Sequence, residues 1–361
     1  MLTLLKSTLS IQGGAEKYAK ALAQAFVDRF GSITLVTSGT PPIPMPQVKI
    51  VTYTPRSRLS YKKVQEYDTF CTSYIQKHPT PYIFSLDRNS HQTHIRASNG
   101  VHAAYLEKRK HYDSIWKKLT HRYNPLHAHI LKIEKTGFES SETQKIFTNS
   151  HMVAQEIIEY YKTPPEKIHV IHNGVEWHAL QKAFDATLYP NRETCQLLFI
   201  GNGYRRKGLP FLLRALSLIK EAEFHLHIVG KEKDVTWFIK YAHSLGLSNK
   251  ATFYGQQKDL LPFYQKADMI LIPSYYDPFA NVTLEALAMG VFAISSTSNG
   301  ASEILNPHSG IGFSIEDGES NLAEIIHFHM RKRKTPIAAQ IIRESVRAFD
   351  FSMQLQPLIA L

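Results

Sequence analysis

A chain of 361 residues with 43% hydrophobic content is longer than the roughly 250 to 300 residues at which single cores stop growing, so two domains are expected. It contains no run of about 18 uncharged apolar residues, and its opening MLTLLKSTLSIQGG is too short and too polar for a signal peptide or membrane span; a soluble, cytoplasmic protein is expected. Two distant cysteines, Cys71 and Cys195, leave neither a disulfide framework nor a CxxC metal site and are read as reduced, buried thiols, while the net charge of +11 calls for an anionic partner: nucleic acid, a membrane surface or a phosphorylated substrate.

In chain order, the first feature is Gly13-Gly14 in SIQGGAEKYAKAL. The pair stands just ahead of a helix pattern, AEKYAKALAQAFVDRF, whose apolar residues recur at about 3.6 positions. Paired glycines let backbone N–H groups approach a phosphate, although a glycine turn without a ligand reads the same way. The segments GSITLVTSG, VKIVTY, YIFSL and KIFTNS follow as strands. Between Tyr105 and Lys135 the chain carries Lys108, Arg109, Lys110, Lys117, Lys118, Arg122, Lys132 and Lys135 against Glu107, Asp113 and Glu134, with Tyr112, Trp116 and Tyr123 interleaved. A basic segment with aromatics reads as a surface for anionic lipid or as a solvated helix face.

VEWHALQKAFDATLYPNRE, at 175–193, breaks the alternation. From Cys195 onward the strand-like runs CQLLFIG, FHLHIVG, ATFYG, MILIPS and VFAISS each precede an amphipathic helix-length segment. This is the sequence form of repeated βαβ units, hence a parallel sheet with helices on both faces. The expected division is residues 1–175, residues 176–335, and a last helical segment 336–361 that crosses back to the first domain.

Ligands of open α/β sheets sit beyond the carboxyl ends of the strands, so the strand-to-helix turns carry the chemistry. FIGNGYRRKGLPFLL places Arg205, Arg206 and Lys207 after a strand, among Gly201, Gly203 and Gly208. Two or three cations at a helix entry form a phosphate clamp, and a solvated basic turn is the alternative. The pattern is neither a P-loop nor the dinucleotide GxGxxG. SYYDPFANVTLEALAMG runs from Ser274 through a Pro-containing turn into a helix expected to take Asn281 as N-cap, with Leu284, Leu287 and Ala288 on its buried face and Glu285 pointing away. Asp277 and Glu285 there are suited to accept hydrogen bonds from sugar hydroxyls rather than to bind phosphate; a turn former and a solvated helix residue would look alike.

The ordered set of the Gly13-Gly14 loop, HVIHNGV, GNGYRRKG, ATFYGQQKDLLPFYQKADMILIPSYYDPFANVTLEALAMG and SNGASEIL resembles the retaining, nucleotide-sugar-dependent glycosyltransferases of family 4 over nearly the whole chain. RASNGVHAAYLEKRKHYDSIWKKLTHRY resembles most the enzymes that add a hexose to the inner core of lipopolysaccharide. The resemblance implies a GT-B fold: two Rossmann-like α/β domains facing a cleft, the first on the acceptor side and the second binding the nucleotide sugar. It implies Glu285 on the nucleotide ribose, Asp277 on the transferred sugar, Arg206 and Lys207 on the donor diphosphate, and N–H groups around Asn281, Val282 and Thr283 as further donors. Gly13 and Gly14 would close on the diphosphate from the first domain, and His102 would reach the donor sugar. Family members commonly carry Glu where this chain has Asp277, and close relatives Asp where it has Asn99, so the choice of sugar and the rate stay open.

The implied chemistry is hexose transfer, with retention, to a hydroxyl of a glycan or glycolipid, with the departing phosphate taking the acceptor proton. No cofactor and no metal are expected, because no Asp-x-Asp pair occurs and fixed cations can stabilise the leaving group. The expected partners are the nucleotide-sugar donor, the acceptor and, through residues 105–135, the cytosolic face of the membrane; nucleic acid is not expected. A same-fold sugar-nucleotide epimerase, an enzymatically silent relative, and a non-catalytic membrane-associated or nucleic-acid-binding protein are the competing readings, and the last explains the charge but not the ordered turns.

Overall fold

The structure, a computed structural model, describes residues 1–8, 14–38, 45–113, 124–190, 193–331 and 333–360. The chain forms two compact units, one made of Met1–His172 with Gln354–Leu361 and the other of Asn173–Met353.

Unit one holds seven strands: β1 (Leu2–Leu5), β2 (Ile33–Ser38), β3 (Val48–Tyr53), β4 (Tyr82–Ser85), β5 (His94–Arg96), β6 (Lys145–Thr148) and β7 (Ile168–Val170). They pair in parallel in the order β3-β2-β1-β4-β5-β6-β7. Every residue of β1 is buried, as a strand covered by helices on both faces requires. The helix Ser60–Lys77 turns Tyr67 and Cys71 onto Leu5, Val36 and Ile83. Burial pushes the Cys71 thiol up to about 12, so it is an inert core group.

Unit two repeats the scheme with β8 (Cys195–Ile200), β9 (Phe224–Val229), β10 (Ala251–Gly255), β11 (Met269–Ile272), β12 (Phe292–Ser296) and β13 (Gly310–Phe313), all parallel, in the order β10-β9-β8-β11-β12-β13. Side chains alternate between its two faces. Leu197 and Phe199 join the core made with the helices Leu209–Ser217 and Gly318–Met330, whereas Leu198 and Ile200 join that made with Leu261–Lys266 and Asn281–Ala288. Both sheets are the Rossmann-like parallel sheets expected from the alternation.

The segment 336–361 is not one crossing helix. Pro336–Glu344 packs in unit two, and only Gln354 onward is counted with unit one. Arg343, fully buried, holds the former in place: it donates to the carbonyls of Ala288 and Trp177 and to Gln181 Oε1, and stacks 4.1 Å over the Trp177 ring. Val175, Trp177 and Phe184 lie in the same core, which draws the stretch read as a junction into unit two. Among the described residues no helix is long and apolar enough to cross a membrane.

Candidate functional site

In unit two the strand order reverses between β8 and β11, and an open parallel sheet binds its ligand at such a reversal. The loops leaving these strands are 201–208 and 273–280. Lys207 Nζ donates to Asp277 Oδ2, and Arg206 Nη1 lies 3.9 Å from the same oxygen while donating to Tyr276 O at 3.2 Å. The Tyr275 N–H returns a bond to Arg206 O at 3.1 Å. Two positions make this approach possible: Gly208 has φ +77° and a Cβ there would fall 1.8 Å from Pro273 O, and a Cβ on Gly201 would fall 2.9 Å from Lys207 Cγ. The Lys207 and Asp277 side chains are 12% and 11% exposed and Arg206 35%, so two cations meet one carboxylate at reduced solvent screening.

Arg205 does not join them. Its guanidinium sits 4.2 Å over the Trp237 ring. The three consecutive cations therefore divide into a pair facing β11 and one facing the helix Val235–Ser244.

Asp277 also shapes the helix that follows. Its Oδ1 accepts from Phe279 N at 3.2 Å, and Asn299 Oδ1 accepts from Ala280 N at 3.0 Å. The N-cap is Ala280, with no side-chain cap bond, and not Asn281, which is the first helical residue. Asn281 is exposed and its Oδ1 accepts from Asn173 at 2.8 Å; Thr283 is fully buried and Val282 half-buried. The first-turn N–H groups of Asn281 and Val282 have no carbonyl within the helix to bond, and the helix dipole adds positive potential there. Glu285 is not the solvated helix residue of the alternative reading. It sits partly buried against Tyr264, whose hydroxyl donates to Oε2 at 2.7 Å. Burial raises its pKa, opposed by that hydrogen bond.

In unit one, Asn99 is exposed in the turn after β5, and its carbonyl accepts from Arg88 Nη2 at 3.1 Å. His102, buried, opens the helix His102–Lys108. Its backbone N–H bonds both oxygens of Glu134, at 2.9 and 3.0 Å, and its Nε2 pairs with His127 Nδ1 at 3.0 Å. Glu134, buried in the helix Pro125–Glu139, also accepts from Arg88 Nε and from the Tyr161 hydroxyl at 2.6 Å. Burial, aided by the charges of Arg88, His127 and Arg109, lowers the His102 pKa to about 3, so the ring is neutral at ordinary pH. Gly14 begins the helix Gly14–Phe30; Gly13 lies outside the described residues, as do Trp116, Lys117, Lys118, Arg122 and Tyr123 of the basic segment.

Arg206, Lys207, Asp277, the helix end at Asn281–Thr283 and Glu285 are thus gathered in unit two, and Asn99 and His102 in unit one. Sequence reasoning missed Tyr264, Asn299, Arg88, His127 and Glu134 as the groups that hold them. The only signal for any of them is a polar residue inside an apolar pattern, as with Tyr264 in LLPFYQKA.

The family model Glycosyltransferase Family 4 matches residues 12–177, and Glycosyl transferases group 1 matches residues 182–344. An uncharacterized glycosyltransferase of Methanocaldococcus jannaschii, MJ1607, is 28% identical over 176 residues, which is 45% of each chain. The chain therefore spans less than half the length of that relative. The lipopolysaccharide glucosyltransferase WaaG of Escherichia coli K12 is 21% identical over 283 residues, 75% of this chain and 74% of its own. A crystal structure of WaaG superposes with a TM-score of 0.77 at 18% identity, covering 99% of this chain and 98% of that one. Anabaena Alr3699/HepE, solved in complex with UDP, superposes with a TM-score of 0.69 at 15% identity, covering 100% and 99%.

Proposed function

Because the chain belongs to the group 1 and family 4 glycosyltransferases, with the Rossmann-like sheets of the GT-B fold, and is an enzyme on that ground, we propose that it transfers a hexose from a nucleoside diphosphate sugar, UDP-linked, to a hydroxyl of a glycan or glycolipid of the lipopolysaccharide-core type. The observation that carries this reading is the convergence of Arg206 and Lys207 beside Asp277 at the strand-order reversal of unit two.

A diphosphate leaving group gains negative charge as its bond to the anomeric carbon breaks. Arg206, Lys207 and the N–H groups at Asn281 and Val282 stabilise that charge where screening is weak. Asp277 takes hydroxyls of the transferred sugar, and Glu285, held through one oxygen by Tyr264, offers the other to the ribose. The acceptor oxygen attacks the anomeric carbon from the face the phosphate leaves, the phosphate oxygen takes its proton, and the configuration is retained. No divalent cation or other cofactor enters these steps, because the two side-chain cations carry the charge compensation. The UDP complex of Alr3699/HepE and the likeness to WaaG support the donor and acceptor classes. By the resemblance, His102, Asn99, Gly13 and Gly14 also serve the donor. The basic segment 105–135, of which Lys108, Arg109, Lys110, Lys132 and Lys135 are described, attaches the cytoplasmic enzyme peripherally to the inner face of the membrane, where a lipid-linked acceptor lies.

Thermal shifts against UDP-, GDP- and ADP-sugars test the donor, since a ligand of the folded state raises its stability. A shift with UDP-hexose, and donor consumption only when a glycolipid acceptor is added, is the expected result. Donor isomerised without acceptor would replace transfer by epimerisation, binding without turnover would mark a silent relative, and failure to co-sediment with anionic vesicles at low salt would remove the membrane arm.

A further inference from the structure

Arg205 is the one cation of the 205–207 run that turns from the carboxylate, and its surroundings assign it another task. The guanidinium lies 4.2 Å from the centre of the Trp237 ring and 5.6 Å from that of Phe238. Trp237 is itself backed by Tyr241, stacked at 5.0 Å with the rings 17° apart, and Tyr241 OH accepts from Arg214 Nη1 at 3.2 Å. The platform under Arg205 is therefore part of the helix Val235–Ser244 and does not depend on Arg205 for its own support.

The rest of that side of the loop is anchored to the same region. Asn202 Oδ1 accepts from Lys231 N at 2.6 Å, Gly203 N donates to Lys231 O at 3.1 Å, and Tyr204 donates through its N–H to Glu232 Oε2 at 2.7 Å and through its hydroxyl to Gly230 O at 2.9 Å. Residues 202–205 are tied toward β9, whereas residues 206–207 face β11. Those hydrogen bonds hold residues 202–204, and Gly203 and Gly208, at φ +72° and +77°, carry the turn; between the two anchored sides Arg205 is fastened by its side chain. The stack of a planar cation on an aromatic face adds to that anchoring through an interaction that lysine, a hydrated point charge, does not reproduce.

We propose that Arg205 is a positioning residue for donor binding: stacked on Trp237, it holds the 201–208 loop so that Arg206 and Lys207 present their charges to the donor diphosphate, without touching the donor itself. This rests on the proposed transferase reading, and the test is built so that the two can fail separately.

Amide hydrogen exchange at residues 203–207 is measured in the donor-free protein, where no assumption about substrate enters. Arg205→Gln and Trp237→Ala each accelerate it about two- to fivefold, the range of an exposed cation–π contact, and Trp237→Phe, which keeps an aromatic face, stays near wild type. In steady state with UDP-hexose, Arg205→Gln and Arg205→Lys raise the donor KM about two- to fivefold with kcat nearly unchanged, and the double variant Arg205→Gln/Trp237→Ala is no worse than either single one. A loss of about a hundredfold in kcat for Arg205→Gln would place Arg205 on the diphosphate and overturn the proposal, as would additive effects in the double variant or unchanged exchange. If the wild-type chain consumed no nucleotide sugar, the function reading would fall while the exchange arm still decided the stack.

Discussion

Each unit places a lysine past its first strand and an aspartate past the strand where the order reverses. In unit one these are Lys6 and Asp87, in unit two Lys207 and Asp277. Asp87 is saturated by two neighbouring residues: Lys6 Nζ at 2.7 Å, and Ser7 through its N–H and its hydroxyl, both at 2.6 Å. Asp277 likewise receives Lys207 from the loop after another strand, but it has Arg206 3.9 Å away as well. The first arrangement is neutral and ties the ends of β1 and β4 together. The second carries one cation more than its carboxylate can balance, beside a helix N-terminus, and so attracts an anion. Identical topology therefore produces a structural pair in one unit and a ligand-facing pair in the other, and the count of charges decides which.

Unit one invests instead in a buried network, and the largest predicted effect tests it. Glu134→Ala leaves Arg88 without its carboxylate and the His102 N–H without an acceptor, so urea denaturation should show a loss of about 3 kcal/mol. A loss under about 1 kcal/mol would mean that the network is not what holds His102. Next, Lys207→Ala lowers turnover about a hundredfold or more, whereas Lys6→Ala leaves turnover within about twofold and costs on the order of 1 kcal/mol of stability. Equal kinetic damage in the two would erase the distinction between the pairs.

Buried groups of the two units also respond to protons. The His102 and His94 pKa values are lowered to about 3 and about 4, chiefly by burial. Unfolding returns each to about 6.5, so below that pH the unfolded chain binds more protons. Their stabilisation is complete above pH 6.5 and is lost as pH falls toward 4 and then 3, at up to about 1.4 kcal/mol per pH unit for each. Glu285 has the opposite sign: its raised pKa means stability declines as pH rises from its unfolded value of about 4.5 through its folded one. Denaturant titrations at successive pH values check both, and replacing His102 with Gln should flatten the acid limb. The smallest effect is expected from Tyr264→Phe, which deletes the bond to Glu285. The donor KM should rise about fivefold, the worth of about 1 kcal/mol for one hydrogen bond, with kcat nearly constant; an unchanged KM would detach Tyr264 from donor binding.

Much of this architecture is readable in the chain. The apolar runs of β8, β9, β11 and β12, each followed by a helix period, declare a parallel sheet, and the cations of GNGYRRKG and the acids of SYYDPFANVTLEALAMG fall at turns where such sheets bind ligands. Three strands escape that reading. LTLL, HIR and IHV, which form β1, β5 and β7, are too short to show a period, and two of them carry histidine or arginine that becomes acceptable only once neighbouring strands and helices surround it. The shifted helix start at Asn281 has a similar source, since the turn into the helix is held by Asn299, which accepts from Ala280 N and is supplied from beyond the next strand.

By itself, the sequence determined the identity of the elements and the chemistry at their ends, because hydrophobic period and turn composition act over a few residues. Only the tertiary structure decided which ends meet. The order β10-β9-β8-β11-β12-β13 brings Lys207 to Asp277, and the packing of Val235–Ser244 turns Arg205 away to Trp237. Both outcomes depend on pairing and packing between segments far apart in the chain, where the free energy of a contact is set by the partner and not by the residue alone.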